Sequence, residues 1–152
     1  MKALIFSDSH GSFTPMMEAI EREKNISTVI HAGDVLRDVE DLKAAYPNYN
    51  IIYVEGNNDF WHSNEPEERF FTLGGVKIFL THGHKYSVKY STAALWQRAK
   101  ELGAQVAVFG HTHMRLCEQQ GGIWLFNPGS ARSSYGVLEA ENGQVKLSIY
   151  EV

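Results

Sequence analysis

Seven side chains able to ligate a metal ion stand at five separated points of the chain. They are Asp8 and His10 in Asp-Ser-His-Gly, Asp34 after Gly33, Asn57 in Gly-Asn-Asn-Asp, His82 in His-Gly-His, and His111 and His113 in Gly-His-Thr-His. Four imidazoles, two carboxylates and one amide make a mixed nitrogen and oxygen donor set. Magnesium and calcium prefer all-oxygen shells. Manganese, iron, zinc or nickel suit this set better. Asp8 and His10, one residue apart, can face one ion from a single turn, and His111 and His113 can do so from another. Asp34 carries two carboxylate oxygens and could bridge two ions. Two close cations with a water between them are a standard means of cutting phosphate esters.

Such residues work together only if the fold gathers them. Each follows the apolar part of a strand-like run, and in open α/β sheets ligands collect beyond the carboxyl ends of the strands. Residues 3–6, 28–31 and 50–54 read as strands. Between them, Thr14 as N-cap with Pro15 at the first helical position starts a helix to about residue 24, with Met16, Met17 and Ile20 inward. Asp38 caps a second helix that ends near Tyr46 and Pro47. This β-α-β-α-β order implies parallel strands with helices outside. The second half reads as hairpins over 69–81, 115–126 and 135–150, the last turning at Asn142-Gly143. A helix capped by Ser91 runs to Leu102 and closes at Gly103, before a buried strand over 106–109. The fold class expected is α/β: two mixed sheets face to face with helices outside. Gly11, Gly33, Gly56, Gly83 and Gly110 flank the candidate ligands and permit sharp turns.

At 152 residues, with no repeat, linker or low-complexity tract, one domain over 1–152 is expected. A formal net charge of −4 argues against stable, backbone-driven nucleic-acid binding. The single cysteine, Cys117, excludes an internal disulfide and thiolate-rich zinc modules, and reads as strand packing. The opening Met-Lys-Ala-Leu-Ile-Phe-Ser-Asp is too short an apolar run for a signal peptide or a membrane span, so a cytoplasmic location and no membrane partner are the default expectations. Oligomeric state stays open.

At the five blocks the chain resembles the calcineurin-like metallophosphoesterases, whose pattern is D-x-H, G-D, G-N-H-[DE], H and G-H-x-H. The short length, Thr81-His82-Gly83-His84 and Asn127-Pro128-Gly129-Ser130 are most similar to the small bacterial and archaeal YfcE-type phosphodiesterase branch. The resemblance covers Lys2 to about Ser130 and implies a four-layer α/β/β/α sandwich. It implies one ion held by Asp8, His10, Asp34 and His113 and another by Asp34, Asn57, His82 and His111, with Asp34 as the bridge. A hydroxide shared by the ions would attack phosphorus in line with the leaving group. The activity implied is hydrolysis of phosphodiesters in small or nucleotide-like substrates, with two divalent ions, manganese first, as cofactors. A phosphomonoesterase is the alternative within enzymes. Outside them, relatives resembling the retromer subunit Vps29 serve as protein-binding scaffolds with degraded sites. A scaffold need not retain all seven ligands, and this chain does.

The chain departs from the pattern at Asn58, where the family often has a histidine serving as general acid. An amide donates a hydrogen bond but no proton at neutral pH, and general acid–base help is worth roughly 10²–10⁴-fold. A slower enzyme, or one restricted to good leaving groups, is expected. Asp59 is a candidate for orienting Asn58 or a ligand. His84 is a candidate for touching substrate phosphate or orienting His82. His31 reads as a satisfied core histidine and His62 as solvated. Arg132 reads equally as a phosphate contact or a surface residue, and Phe60 and Trp61 as a wall for an aromatic group or as packing. Substrate specificity would lie in the loops 64–68 and 85–90.

Overall fold

Strand β1 (Lys2–Phe6) alternates two apolar sets: Ala3 and Ile5 face one side, Leu4 and Phe6 the other, and all four are fully buried. A strand that is apolar on both faces must lie between two layers. In the computed structural model, which describes residues 1–59 and 65–152, β1 is the middle strand of a five-stranded sheet ordered β10-β9-β1-β2-β3. The parallel neighbours β2 (Thr28–His31) and β3 (Asn50–Tyr53) align Phe6, His31 and Tyr53 across the sheet. On the other side β9 (Ser134–Glu141) and β10 (Gln144–Glu151) form an antiparallel hairpin. Its turn residues Asn142 and Gly143 both have positive φ, as a type I′ turn requires.

The second sheet has the order β4-β5-β6-β8-β7. Its elements are β4 (Glu68–Leu73), β5 (Val76–Thr81), β6 (Val106–Val108), β7 (Leu116–Gln120) and β8 (Ile123–Asn127). The hairpins β4–β5 and β7–β8 are antiparallel, whereas β5, β6 and β8 run parallel to one another. The local hairpin signals in the sequence therefore conceal a parallel centre. Ile78, Leu80, Val106, Val108 and Phe126 meet Ala3, Ile5 and Ile30 between the sheets. Phe79, Ala107 and Leu125 point outward to Leu95 and Ala99 of helix α3 (Ala93–Leu102). Helices α1 (Phe13–Arg22) and α2 (Leu36–Ala45) cover the outer face of the first sheet through Met16, Ala19, Ile20 and Leu42. The result is the expected α/β/β/α order.

Local details differ from the sequence reading in several places. Helix α1 starts at Phe13 with Ser12 as N-cap, so Thr14 is not the cap and Pro15 sits inside the first turn, where its missing N–H has no helical acceptor to lose. Met17 is half-buried, and Ala19 takes its place on the inward face. Helix α2 starts at Leu36 after Val35, and Asp38 lies within its first turn rather than capping it. Thr92 is the N-cap of α3, although Ser91 Oγ accepts a hydrogen bond from Ala93 N. Cys117 does not pack into a core: it is exposed on the edge strand β7.

Among the described residues, no helix is long and apolar enough to cross a membrane.

Candidate metal centre

Both sheets direct their parallel strands toward one edge. Asp8 follows β1, Asp34 follows β2, Asn57 follows β3, His82 follows β5 and His111 follows β6. The sixth parallel strand, β8, delivers Asn127-Pro128-Gly129-Ser130 to the same place. The backbone there is unusual. Asp8, His10, Asp34, His111 and His113 all have positive φ, a conformation uncommon for non-glycine residues and often kept where function requires it. Two glycines allow close approach: a Cβ on Gly56 would collide with Asp34 Oδ1, and one on Gly110 with Ser7 Oγ and Asp8 Oδ2.

Asp8, Asp34 and His82 form a buried floor. Asp8 Oδ2 accepts hydrogen bonds from Ser7 Oγ at 2.7 Å and His111 N at 3.0 Å. Its other oxygen, Oδ1, is buried without a hydrogen-bond partner and lies 3.2 Å from His113 Nε2, 3.7 Å from His82 Nε2 and 3.8 Å from His10 Nε2. Asp34 Oδ2 lies 3.5 Å from His82 Nε2 and 3.9 Å from His10 Nε2. His82 donates from Nδ1 to Ala32 O at 2.8 Å, which aims Nε2 into the basin. Asn57 Oδ1 lies 3.0 Å from His82 Nε2 and 3.2 Å from His111 Nδ1.

Lone pairs thus converge with too few hydrogens between them. Buried polar atoms are almost always partnered, yet Asp8 Oδ1 and His10 Nε2 are buried and unpartnered. A cation satisfies all of these atoms at once. Two groups of three have ligand atoms within 4.8 Å of one another: Asp8, His10 and His113, and Asp8, Asp34 and His82. The donor set and its orphaned atoms fit divalent metal ions. Both carboxylates, not Asp34 alone, stand between the two groups of imidazoles.

Electrostatics follow the same geometry. Burial pushes the Asp34 carboxyl up, but hydrogen bonding and charge from His82, with the Asn58 donors, hold it well below the usual carboxylate range. Burial pulls His82 down, but Asp34 and Asp8 outweigh it and raise its pKa. Burial lowers His111 to about 4, helped by the charges of His82 and Lys89, so this imidazole is neutral and ready to ligate.

A supporting layer fixes the basin. Asp59 is buried and accepts hydrogen bonds from Asp34 N, Gly56 N and Leu36 N at 2.8–3.0 Å, tying the Asp34 loop to the Asn57 loop. Asn58 donates to Asp34 twice, from its backbone N to Oδ1 at 3.0 Å and from Nδ2 to Oδ2 at 2.8 Å. His31 is a satisfied core histidine. It accepts from Gly33 N at Nδ1 and donates from Nε2 to Ser9 Oγ, which donates in turn to Asp38 Oδ2 at 2.6 Å. Asp38 also accepts from Gly11 N at 2.8 Å. Ser9 and Asp38 are supports that the sequence reading passed over, because Asp38 resembled an ordinary helix cap. Asn127 Nδ2 donates to Gly110 O and to Thr112 Oγ1, and Ser130 Oγ donates to Asp8 O. Arg132 donates to His10 O and Ser12 Oγ, bracing the Asp8–His10 turn.

His84 opens a short 3₁₀ turn, His84–Tyr86, at the rim. Its ring centroid is 5.6 Å from that of His82 and 6.1 Å from that of His111. Burial and the charge of His82 lower its pKa. Phe60, Trp61 and His62 lie outside the described residues, as does part of the loop 64–68.

Fold and basin together define a metal-dependent phosphoesterase. The chain belongs to the calcineurin-like phosphoesterase superfamily, whose domain model matches residues 1–143. It is 35% identical over 159 residues to the probable metallophosphoesterase YsnB of Bacillus subtilis (strain 168), covering 99% of this chain and 91% of that protein. It is 29% identical over 171 residues to the phosphodiesterase YfcE of Escherichia coli (strain K12), covering 91% and 88%. A predicted phosphoesterase from Streptococcus pneumoniae TIGR4 superposes with TM-score 0.81 at 29% identity, over 99% of this chain and 88% of that one. Vps29 of Chaetomium thermophilum has TM-score 0.84 over 100% and 91%, but at 18% identity it shares the fold alone.

Proposed function

We propose that this protein hydrolyses phosphodiester bonds in small or nucleotide-like substrates with two divalent ions, manganese being the best match to the donor set. Asp8, His10, Asp34 and His113 would hold one ion, and Asp34, Asn57, His82 and His111 the other. The observation that carries this reading is the convergence of unpartnered lone pairs on one basin at the strand ends. Bound there, the ions would supply an activated water at neutral pH and offset the phosphate charge.

The chain's own groups divide the remaining work. Asp59 and Asn58 hold Asp34 in place through the hydrogen bonds described above. His84, neutral at the rim, offers a hydrogen bond to substrate phosphate rather than a stored proton. Among the described residues, no side chain of the basin is an evident acid for the leaving oxygen. Similarity to the phosphodiesterase YfcE supports phosphodiester cleavage over a scaffold role, as does retention of the whole donor set.

The test is hydrolysis of bis-(p-nitrophenyl) phosphate and p-nitrophenyl phosphate after chelation and metal restoration. Manganese should restore the diester reaction better than magnesium, and the diester should be preferred to the monoester. Undiminished diester cleavage after confirmed metal removal would overturn the mechanism. Preference for the monoester would replace it with phosphomonoesterase activity.

A further inference from the structure

A cleft of about 440 Å³ is lined in part by Thr112, the residue between the candidate ligands His111 and His113. This volume falls within the usual range for small-molecule pockets, about 300–1,000 Å³. Its inner wall is apolar: Val88 and Phe109 are 6% and 2% exposed, and Leu116 is half-buried beside them. Met114 closes the outer side and is 71% exposed. Two polar groups interrupt this surface. Thr112 Oγ1 already accepts hydrogen bonds from Met114 N and Asn127 Nδ2, which leaves its own hydroxyl hydrogen to donate outward. Lys89 lines the same cleft and is exposed. Among the described residues, this exposed ammonium has no hydrogen bond or ion pair. Arg115, by contrast, lines the cleft with its guanidinium committed to Ser133 O and Glu151.

We propose that this cleft is the subsite for the nucleoside half of a phosphodiester substrate, an assignment that rests on the phosphodiesterase reading above. A phosphorus held at His111 and His113 places one of its two ester substituents next to Thr112. A planar nucleobase offers apolar faces to Val88, Phe109 and the Met114 thioether, a group that packs well against aromatic rings. The polar edge of the base meets the Thr112 hydroxyl. Lys89 meets the negative charge that every phosphodiester carries, as a point cation suited to phosphate. A methyl substituent would leave the apolar wall unfilled and the Thr112 hydroxyl without this contact.

The experiment compares two esters with the same leaving group, thymidine 5′-(4-nitrophenyl phosphate) and methyl 4-nitrophenyl phosphate, on the manganese-loaded protein. The parent should favour the nucleoside ester in kcat/KM by about tenfold or more. Thr92→Trp, which fills the cleft from its rim, and Met114→Ala, which removes its outer wall at an exposed position, should each lower that ratio severalfold. A parent ratio near one, or a ratio unchanged in both variants, overturns the proposal. A second readout requires no turnover. The methyl resonance of Met114 should shift with thymidine 5′-monophosphate and not with inorganic phosphate. If neither ester is cleaved, the phosphodiesterase reading fails on its own. The nucleotide-dependent shift then decides the subsite, and its absence overturns it.

Discussion

Asp34, the proposed bridge, is held from several sides. Its carboxylate faces two imidazoles, accepts two hydrogen bonds from Asn58, and is held in the ionised form by His82 and the Asn58 donors against the opposing effect of burial. Asp34→Asn keeps the shape but removes the charge, so bound manganese should fall below one ion per chain and diester cleavage should drop by at least about 10²-fold, comparable to other losses of metal-site residues. Elemental analysis and the nitrophenyl diester assay check this, and near-normal metal content would remove Asp34 from its bridging role. Asn58 leads to a second expectation. Since it cannot release a proton at neutral pH, the leaving oxygen departs as an anion, and rates should depend steeply on leaving-group pKa. A series of substituted phenyl and alkyl diesters measures the slope. A shallow slope would mean that another donor acts, His84 being the first to examine.

At the scale of elements, the basin depends on how its loops are tied together. Asp59 joins the turn after β2 to the turn after β3 by accepting three backbone N–H groups. Each buried N–H left without an acceptor costs about 1–3 kcal/mol. Asp59→Ala should therefore destabilise the metal-free protein by about 3 kcal/mol in urea unfolding, after partial rescue by water. The Ser9–Asp38 hydrogen bond likewise joins the turn after β1 to the first turn of α2. Asp38→Asn retains the size of the side chain but weakens its hold on Ser9 Oγ and Gly11 N. Manganese affinity should fall by about 10–100-fold, as for other residues that orient ligands from behind. Titration calorimetry checks this, and unchanged affinity would mean the Asp8–His10 turn holds its shape without Asp38.

Two properties belong to the molecule as a whole. Phe126 fills the space between the sheets and abuts Gly136 of β9. Phe126→Ala should cost about 3–5 kcal/mol, because neither sheet can move inward independently to close the cavity. Stability should also depend on pH through His31, which burial holds at about 4 against an ordinary 6.5, with Asp38 opposing the shift. Between these values the unfolded chain binds a proton that the folded chain does not, so stability rises with pH across the window. Through His31 alone, acidification of the metal-free protein from pH 6.5 to 4 should remove about 3 kcal/mol, since each pKa unit is worth about 1.4 kcal/mol. Denaturant unfolding along this range measures the slope. His31→Gln should flatten it, whatever its effect on absolute stability.

The sequence alone contained the candidate ligands, because chemistry restricts which side chains bind metal and the local signals of strand and turn restrict where they stand. Asp8, Asp34, Asn57, His82 and His111 were each legible as residues following an apolar strand. The apolar run of residues 3–6 likewise announced a buried strand. The same signals are short-range, so they showed β4–β5 and β7–β8 as hairpins and missed that β5, β6 and β8 run parallel. That arrangement is set by long-range packing, and it turns six strand ends toward one basin. Tertiary structure also assigned residues whose composition carries no signal. Asp38 looked like a helix cap and proved to hold Ser9, Cys117 looked like packing and lies exposed on an edge, and Thr112, between two candidate ligands, lines a cleft. A side chain's type states what it can bond, but its partner is whatever the folded chain brings within about 3 Å.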